Sequence, residues 1–285
     1  MKIGTKEFQF GQKVYIMGIL NVTPDSFSDG GRYESVRQAM QQVERMIADG
    51  AHIIDVGGES TRPGHTPVSD EEEIRRIIPV IRSIRERYDI PISVDTYKSS
   101  TARAALDAGA DLINDVWGCL YDENMAAVAA EYDAPVCLMH NRNDTDYESF
   151  LDEVVFDLQK SVALARKKGV KQENIILDPG IGFGKTYEQN LLLLGHLENI
   201  CGLGYPVLLG ASRKSVIGLT LGLPVEEREE GTLAISVIGA MKGCSILRVH
   251  DVKANVRALR MTEAIIGCEK EAHEEGGRQD GQDRN

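Results

Sequence analysis

The segment PISVDTYKSSTARAALDAGADLINDVWG, residues 91–118, decides the fold. It holds a short apolar run, Ile92–Val94, that ends on Asp95, then a longer segment of helical period, a stop at Gly109, and a second apolar run, Leu112–Asn114. Two apolar runs too short for helices, joined by an amphipathic segment and a glycine, make a strand–helix–strand unit whose parallel strands are buried on both faces. Outward from this segment the unit recurs. Further runs at Val14–Leu20, His52–Asp55, Val136–Met139, Ile175–Leu177, Val207–Leu209 and Ile246–Val249 bring the set to eight. Segments with apolar residues at three- and four-residue spacing, among them Tyr33–Asp49, Ser69–Tyr88, Asp146–Lys168 and Val252–Gly267, predict the covering helices. Gly50, Gly109, Gly169 and Gly243 stand where a left-handed residue ends a helix before the next strand.

Eight such units predict a single (β/α)8 barrel, the TIM-barrel architecture of the α/β class, over residues 14–267. Residues 1–13 alternate apolar and polar around Gly4 and Gly11, which predicts an N-terminal β-hairpin over the barrel's far end. Beyond Cys268 the chain turns to Glu, Gly, Gln and Asp with almost no apolar residues, so residues 268–285 are expected to be a disordered tail.

A net charge of −12 argues against a nucleic-acid partner, because such binding draws its affinity from Lys and Arg on phosphates. Any phosphate is held locally. No segment approaches the roughly 18–20 apolar residues of a membrane span, and Lys2, Lys6 and Glu7 interrupt what a signal peptide would keep apolar. The five cysteines are scattered and form no CxxC pair, so neither a disulfide framework nor a zinc site is expected, and the cytoplasm is the expected compartment.

In a barrel of this kind the chemistry lies at the C-terminal ends of the strands. Nearly every such end is polar here: Asn21, Asp55, Asp95, Asn114-Asp115, His140-Asn141, Asp178, then Ser212-Arg213-Lys214-Ser215 and Arg248-Val249-His250-Asp251. One buried carboxylate is usually a satisfied core group, since burial without a partner costs several kcal/mol. Asp95, Asn114 and Asp178 at three separate strand ends point instead to a shared ligand, a flat heterocycle with a donor-rich edge. Arg213, Lys214, Arg248 and His250 cluster after the seventh and eighth strands, where barrels often hold phosphate. The plain alternative pairs Arg248 with Asp251 or another carboxylate. The glycine-rich stretch Asp178–Thr186 fails as a nucleotide loop, with Pro179 and Lys185 where glycines are required, and reads as a tight turn that fixes Asp178. The long loops Asn21–Arg32 and Gly57–Val68 carry Asp25, Phe27, Asp29, Thr61 and Arg62, and are positioned to close over a site.

These segments resemble the dihydropteroate synthases: MGILNVTPDSFSDGG from Met17, HIIDVGGESTRPG from His52, PISVDTYK from Pro91, LINDVWG from Leu112, LMHNR from Leu138, ILDPGIGFGKT from Ile176, LLGASRKS from Leu208 and RVHDV from Arg248. The resemblance implies condensation of 6-hydroxymethyl-7,8-dihydropterin diphosphate with p-aminobenzoate. It implies a pterin site of Asp95, Asn114, Val116, Met139, Asp178, Lys214 and Arg248, and a diphosphate site of Asn21, Arg62, Arg248 and His250, with Mg²⁺ on Asn21. Phe27, Thr61, Pro63 and Ser215 would surround p-aminobenzoate, and Asp25, Asp29, Arg62, Lys214, Arg248 and His250 would serve catalysis. A homodimer and competition by sulfonamides are implied as well. Two alternatives stay open: a pterin-binding methyltransferase, which would not need the basic segments at Ser212 and Arg248, and a catalytically silent pterin-binding paralogue.

Overall fold

The computed structural model describes residues 1–22, 31–59 and 67–282. Strands β1 (Lys2–Ile3) and β2 (Lys6–Glu7) pair antiparallel as the expected hairpin. Eight parallel strands follow: β3 (Tyr15–Asn21), β4 (Ile53–Gly57), β5 (Ile92–Asp95), β6 (Leu112–Asp115), β7 (Val136–Met139), β8 (Ile175–Asp178), β9 (Leu208–Leu209) and β10 (Ile246–Val249). They lie side by side in the order β8-β7-β6-β5-β4-β3-β10-β9. A parallel bridge from Leu177 to Val207 joins the two outer strands, so the sheet closes on itself as a barrel.

The period of two along each strand sorts the side chains. Ile16, Leu20, Ile54, Val56, Ile92, Val94 and Ile113 face outward and pack with the helices in one large core. Met17, Ile53, Leu112, Cys137, Ile176, Leu208 and Ile246 face inward as an apolar layer, closed from below by Ile3 and Phe8 of the N-terminal segment. Two residues further along β4, β6, β8 and β10 the inward position turns polar, whereas on β3, β7 and after β9 it is Ile19, Met139 and Gly210. Ser93 and Asp95 on β5, Asn114 on β6, Asp178 on β8 and Arg248 on β10 form this upper layer, above the apolar plug that fills the barrel below.

The helix expected over Ser69–Tyr88 runs Asp70–Arg87, with Ser69 accepting from the Glu72 N–H as its N-cap. The helix expected from Asp146 begins later, at Phe150, because the Glu153 carboxylate turns back to accept the N–H groups of Glu148 and Ser149 and holds the chain out of the helix up to that point. Gly50, Gly109, Gly169 and Gly243 all take positive φ, between 97° and 109°. The final helix runs Val252–Gln282.

Candidate active site

β5 and β6 pair with Asp95 opposite Asn114, and β4 pairs with β5 so that Asp55 stands opposite Ser93, one inward step below Asp95. Arg248 comes from β10, which β3 separates from β4. The Arg248 guanidinium donates from Nε to Asp55 Oδ2 and from Nη2 to Asp95 Oδ2, both at 2.6 Å, and the Asn114 amide donates to the same Asp55 oxygen at 3.3 Å. Residues 153 and 193 positions apart in sequence thus share one buried network. The other oxygen of each carboxylate, Asp55 Oδ1 and Asp95 Oδ1, is buried without a partner among the described residues.

One cation between two carboxylates leaves an uncompensated negative charge. Burial therefore pushes Asp95 up to about 7, with Asp55 adding to the shift and Arg248 opposing it.

Asp178 ends β8 and is buried. Its Oδ1 accepts from the Gly180 N–H at 2.7 Å, as expected of a turn that fixes this side chain. Burial raises its pKa, opposed by the Gly180 N–H and by the charges of Lys214, Arg248 and Lys185. Gly210 lies between the two sides of the site: a Cβ there would make ordinary contacts, 3.4 Å from Asp178 Oδ2 and 3.8 Å from Arg248 Cδ. Lys214 Nζ sits 3.9 Å from the centre of the Phe183 ring, close enough for a cation–π contact. Val116, Met139 and Tyr97 pack together with Trp117 and Phe183 as an apolar wall beside these polar groups.

His250, one residue beyond β10, has Nδ1 2.9 Å from the Ser212 hydroxyl. Asn21 ends β3, and its register partner Gly57 lies opposite Asp95. Ser215 is the first residue of the helix Ser215–Leu221 and is exposed. Arg213 takes Asp251, through two bonds of 2.7 and 3.1 Å, so the pairing of Arg248 with Asp251 considered above does not occur. Both basic residues find carboxylates, but the chain geometry gives Arg248 the interior pair. Asp25, Phe27, Asp29, Thr61, Arg62 and Pro63 lie outside the described residues.

Asp95, Asn114, Val116, Met139, Asp178, Lys214 and Arg248 thus gather around one end of the barrel. Three participants had gained no role from the sequence. Asp55 had shown only as a polar strand end, and Phe183 and Gly210 lie within quoted motifs whose spacing does not separate site residues from turn residues.

The profile of the pterin binding enzyme family matches residues 17–250. The dihydropteroate synthase of Clostridium beijerinckii is 59% identical over 267 residues, which are 93% of this chain and 99% of that protein. A crystal structure of dihydropteroate synthase from Clostridium difficile in the presence of pteroic acid superposes with a TM-score of 0.89 at 52% identity, covering 91% of this chain and 99% of that one. The Xanthomonas albilineans dihydropteroate synthase with 4-aminobenzoic acid gives 0.85 at 44% identity, covering 89% and 93%. With the site geometry and these likenesses in agreement, the chain belongs to the pterin binding enzyme family, within its dihydropteroate synthases.

Proposed function

We propose that the chain joins 6-hydroxymethyl-7,8-dihydropterin diphosphate to p-aminobenzoate, releasing 7,8-dihydropteroate and diphosphate. The observation that carries this reading is the pair of buried oxygens without a partner among the described residues, Asp55 Oδ1 and Asp95 Oδ1, in the same polar layer as Asn114, Asp178 and the Lys214 and Arg248 cations. Such a layer suits a flat ring with several N–H donors along one edge. Pteroic acid and 4-aminobenzoic acid accompany the two solved structures named above.

In this reading Asp178 accepts from the amino-pyrimidinone edge, Asp95 and Asn114 complete the ring's hydrogen bonds, Lys214 donates to the ring and Arg248 lies against its face. Val116, Met139 and Phe183 exclude water from one side. The C–O bond at the exocyclic methylene breaks with its electron pair leaving on diphosphate, and the electron-rich ring carries the developing positive charge. The acidic floor favours that charge, while His250, Arg248 and Arg62 favour the departing anion. The amine of p-aminobenzoate then forms the C–N bond and loses a proton. Phe27, Thr61, Pro63 and Ser215 surround this second substrate, and Asp25 and Asp29 support the reaction.

Mg²⁺ fits as the companion of the diphosphate. Among the described residues no group of His, Cys, Asp and Glu could hold a resident metal. The Asn21 side-chain oxygen at the end of β3 suits an ion that takes one or two protein oxygens and fills its shell with water and phosphate. When bound, Mg²⁺ supplies positive charge to the leaving group.

Incubated with both substrates and Mg²⁺, the protein is expected to yield dihydropteroate and diphosphate in equal amounts, with little diphosphate released when p-aminobenzoate is omitted and less product when a sulfonamide competes. Absence of dihydropteroate from the complete mixture, read by chromatography, would overturn the assignment.

Among the described residues no helix is long and apolar enough to cross a membrane, and we place the protein in the cytoplasm. We also infer a homodimer. Leu219 and Leu221, Ile238 and Met241, and Met261 and Ile265 expose apolar side chains on three late helices, Ser215–Leu221, Glu229–Met241 and Val252–Gln282. Sedimentation at twice the 31.4 kDa chain mass is expected, and sedimentation at the single mass would reject the dimer.

A further inference from the structure

The loop after β8 contains a buried ammonium that the reaction above does not use. Lys185 reaches back across its own loop, and its Nζ lies 2.8 Å from His140 Nδ1, 2.9 Å from the Gly180 carbonyl and 2.8 Å from the Phe183 carbonyl. Three acceptors thus meet the three N–H donors of an ammonium. Between Asp178 and Lys185 the chain turns through Gly180, Gly182 and Gly184, all with positive φ, and a buried carbonyl left without a donor is costly. The two carbonyls that Lys185 takes belong to residues that shape the site. The Gly180 N–H holds Asp178 Oδ1, and the Phe183 ring faces Lys214.

We propose that Lys185 is a positioning residue for the pterin: its ammonium braces the loop that aims Asp178 and seats Phe183, and that shape is kept only while Lys185 carries its third proton. The proposal rests on the assignment of Asp178 to the pterin made above.

The charged and titratable groups facing Lys185 come from four directions: Asp178 at the end of β8, His140 and Arg142 after β7, Asp157 from the helix Phe150–Lys167, and Lys214 after β9. Burial lowers the Lys185 pKa to about 7; Lys214 and Arg142 push the same way, and Asp178 and Asp157 push back. His140 is held down to about 3, first by burial and then by Lys185, so it faces the ammonium as a neutral acceptor, with Nε2 3.5 Å from Asp157 Oδ2. Below about pH 7 donors and acceptors match. Above it one N–H is lost, and His140 can meet the amine only by moving its proton to Nδ1 and turning a bare Nε2 towards the Asp157 carboxylate, so the brace loosens.

Equilibrium binding of 6-hydroxymethylpterin between pH 5.5 and 9 tests this in the wild type, Lys185→Met and Asp157→Asn. In the wild type, affinity is expected to fall about tenfold as pH rises through the Lys185 titration, the worth of one buried acceptor left unmade. Lys185→Met should bind about tenfold more weakly at pH 6 and lack this fall. Titration of Asp95 and of the pterin itself is common to both proteins and cancels in their ratio; that of Asp178, which the Lys185 charge lowers, does not cancel and is told apart by the Asp157→Asn arm. Asp157→Asn removes a carboxylate that favours the ammonium, so the midpoint should move to lower pH, which a merely structural role for Lys185 would not produce. Parallel profiles for wild type and Lys185→Met would overturn the proposal. If circular dichroism shows that Lys185→Met does not fold, an unmoved midpoint in Asp157→Asn overturns it alone. A wild type that binds no pterin at any pH would instead remove the site assignment on which the proposal stands.

Discussion

Asp178→Ala is expected to raise the dissociation constant for 6-hydroxymethylpterin about a hundredfold or more. A buried carboxylate accepting two N–H groups from a ligand contributes through charge-assisted bonds of about 1.5–3 kcal/mol each. Alanine also removes the acceptor for the Gly180 N–H. Asp178→Asn is therefore the sharper variant. Its amide oxygen can still take that N–H, while its NH₂ group meets the donor edge of the ring head-on. Asn should preserve the melting temperature and lose affinity nearly as completely as Ala. Calorimetric titration reads the first quantity and a thermal melt the second; wild-type affinity in either variant would contradict the role given to Asp178.

Arg248→Ala should be the most damaging single substitution to folding among the described site residues. It leaves Asp55, fully buried, and Asp95, 4% exposed, side by side without their shared cation. Removing one partner from a buried ion pair costs about 3–5 kcal/mol, because the remaining charge is uncompensated. The sign of the pH dependence follows from Asp95. Its folded-state pKa already stands above the ordinary carboxylate value and rises further without Arg248. A raised carboxylate pKa leaves stability intact below the unfolded-state value near 4 and removes it as pH climbs towards the folded-state value. Urea denaturation should therefore show a large deficit against wild type at pH 7.5 and a smaller one at pH 5, with Asp95→Asn added to Arg248→Ala recovering part of it. Equal deficits at both pH values would mean that the cost comes from lost packing and not from charge.

The sequence makes the barrel legible because each strand is a short apolar run closed by a polar residue and each helix is amphipathic, features fixed by local periods. Asp95, Asn114 and Asp178 are readable for the same reason: each interrupts an apolar run at its end. The pairing of Arg248 is not readable in this way. Asp251, three residues away, is the near candidate, whereas the partners chosen lie on strands that barrel closure brings alongside. Asp55 is hidden by being one more acid in a chain with 44 of them. The bracing role of Lys185 is hidden too, since its partners are two backbone carbonyls and a ring nitrogen that no side-chain pattern announces. The delayed start of the helix at Phe150 depends on one glutamate folding back on its own chain.

The barrel has a seam. β9 contributes only Leu208 and Leu209, and a lone bridge from Leu177 to Val207 fastens it to β8. Local opening starts where few backbone bonds must break, so this stave is the one most ready to part from its neighbour. The site straddles the same line, with Asp178 on one side and Gly210 and Lys214 on the other. A pterin gripping both edges would act as a rivet across this line, opposing any parting of the two staves.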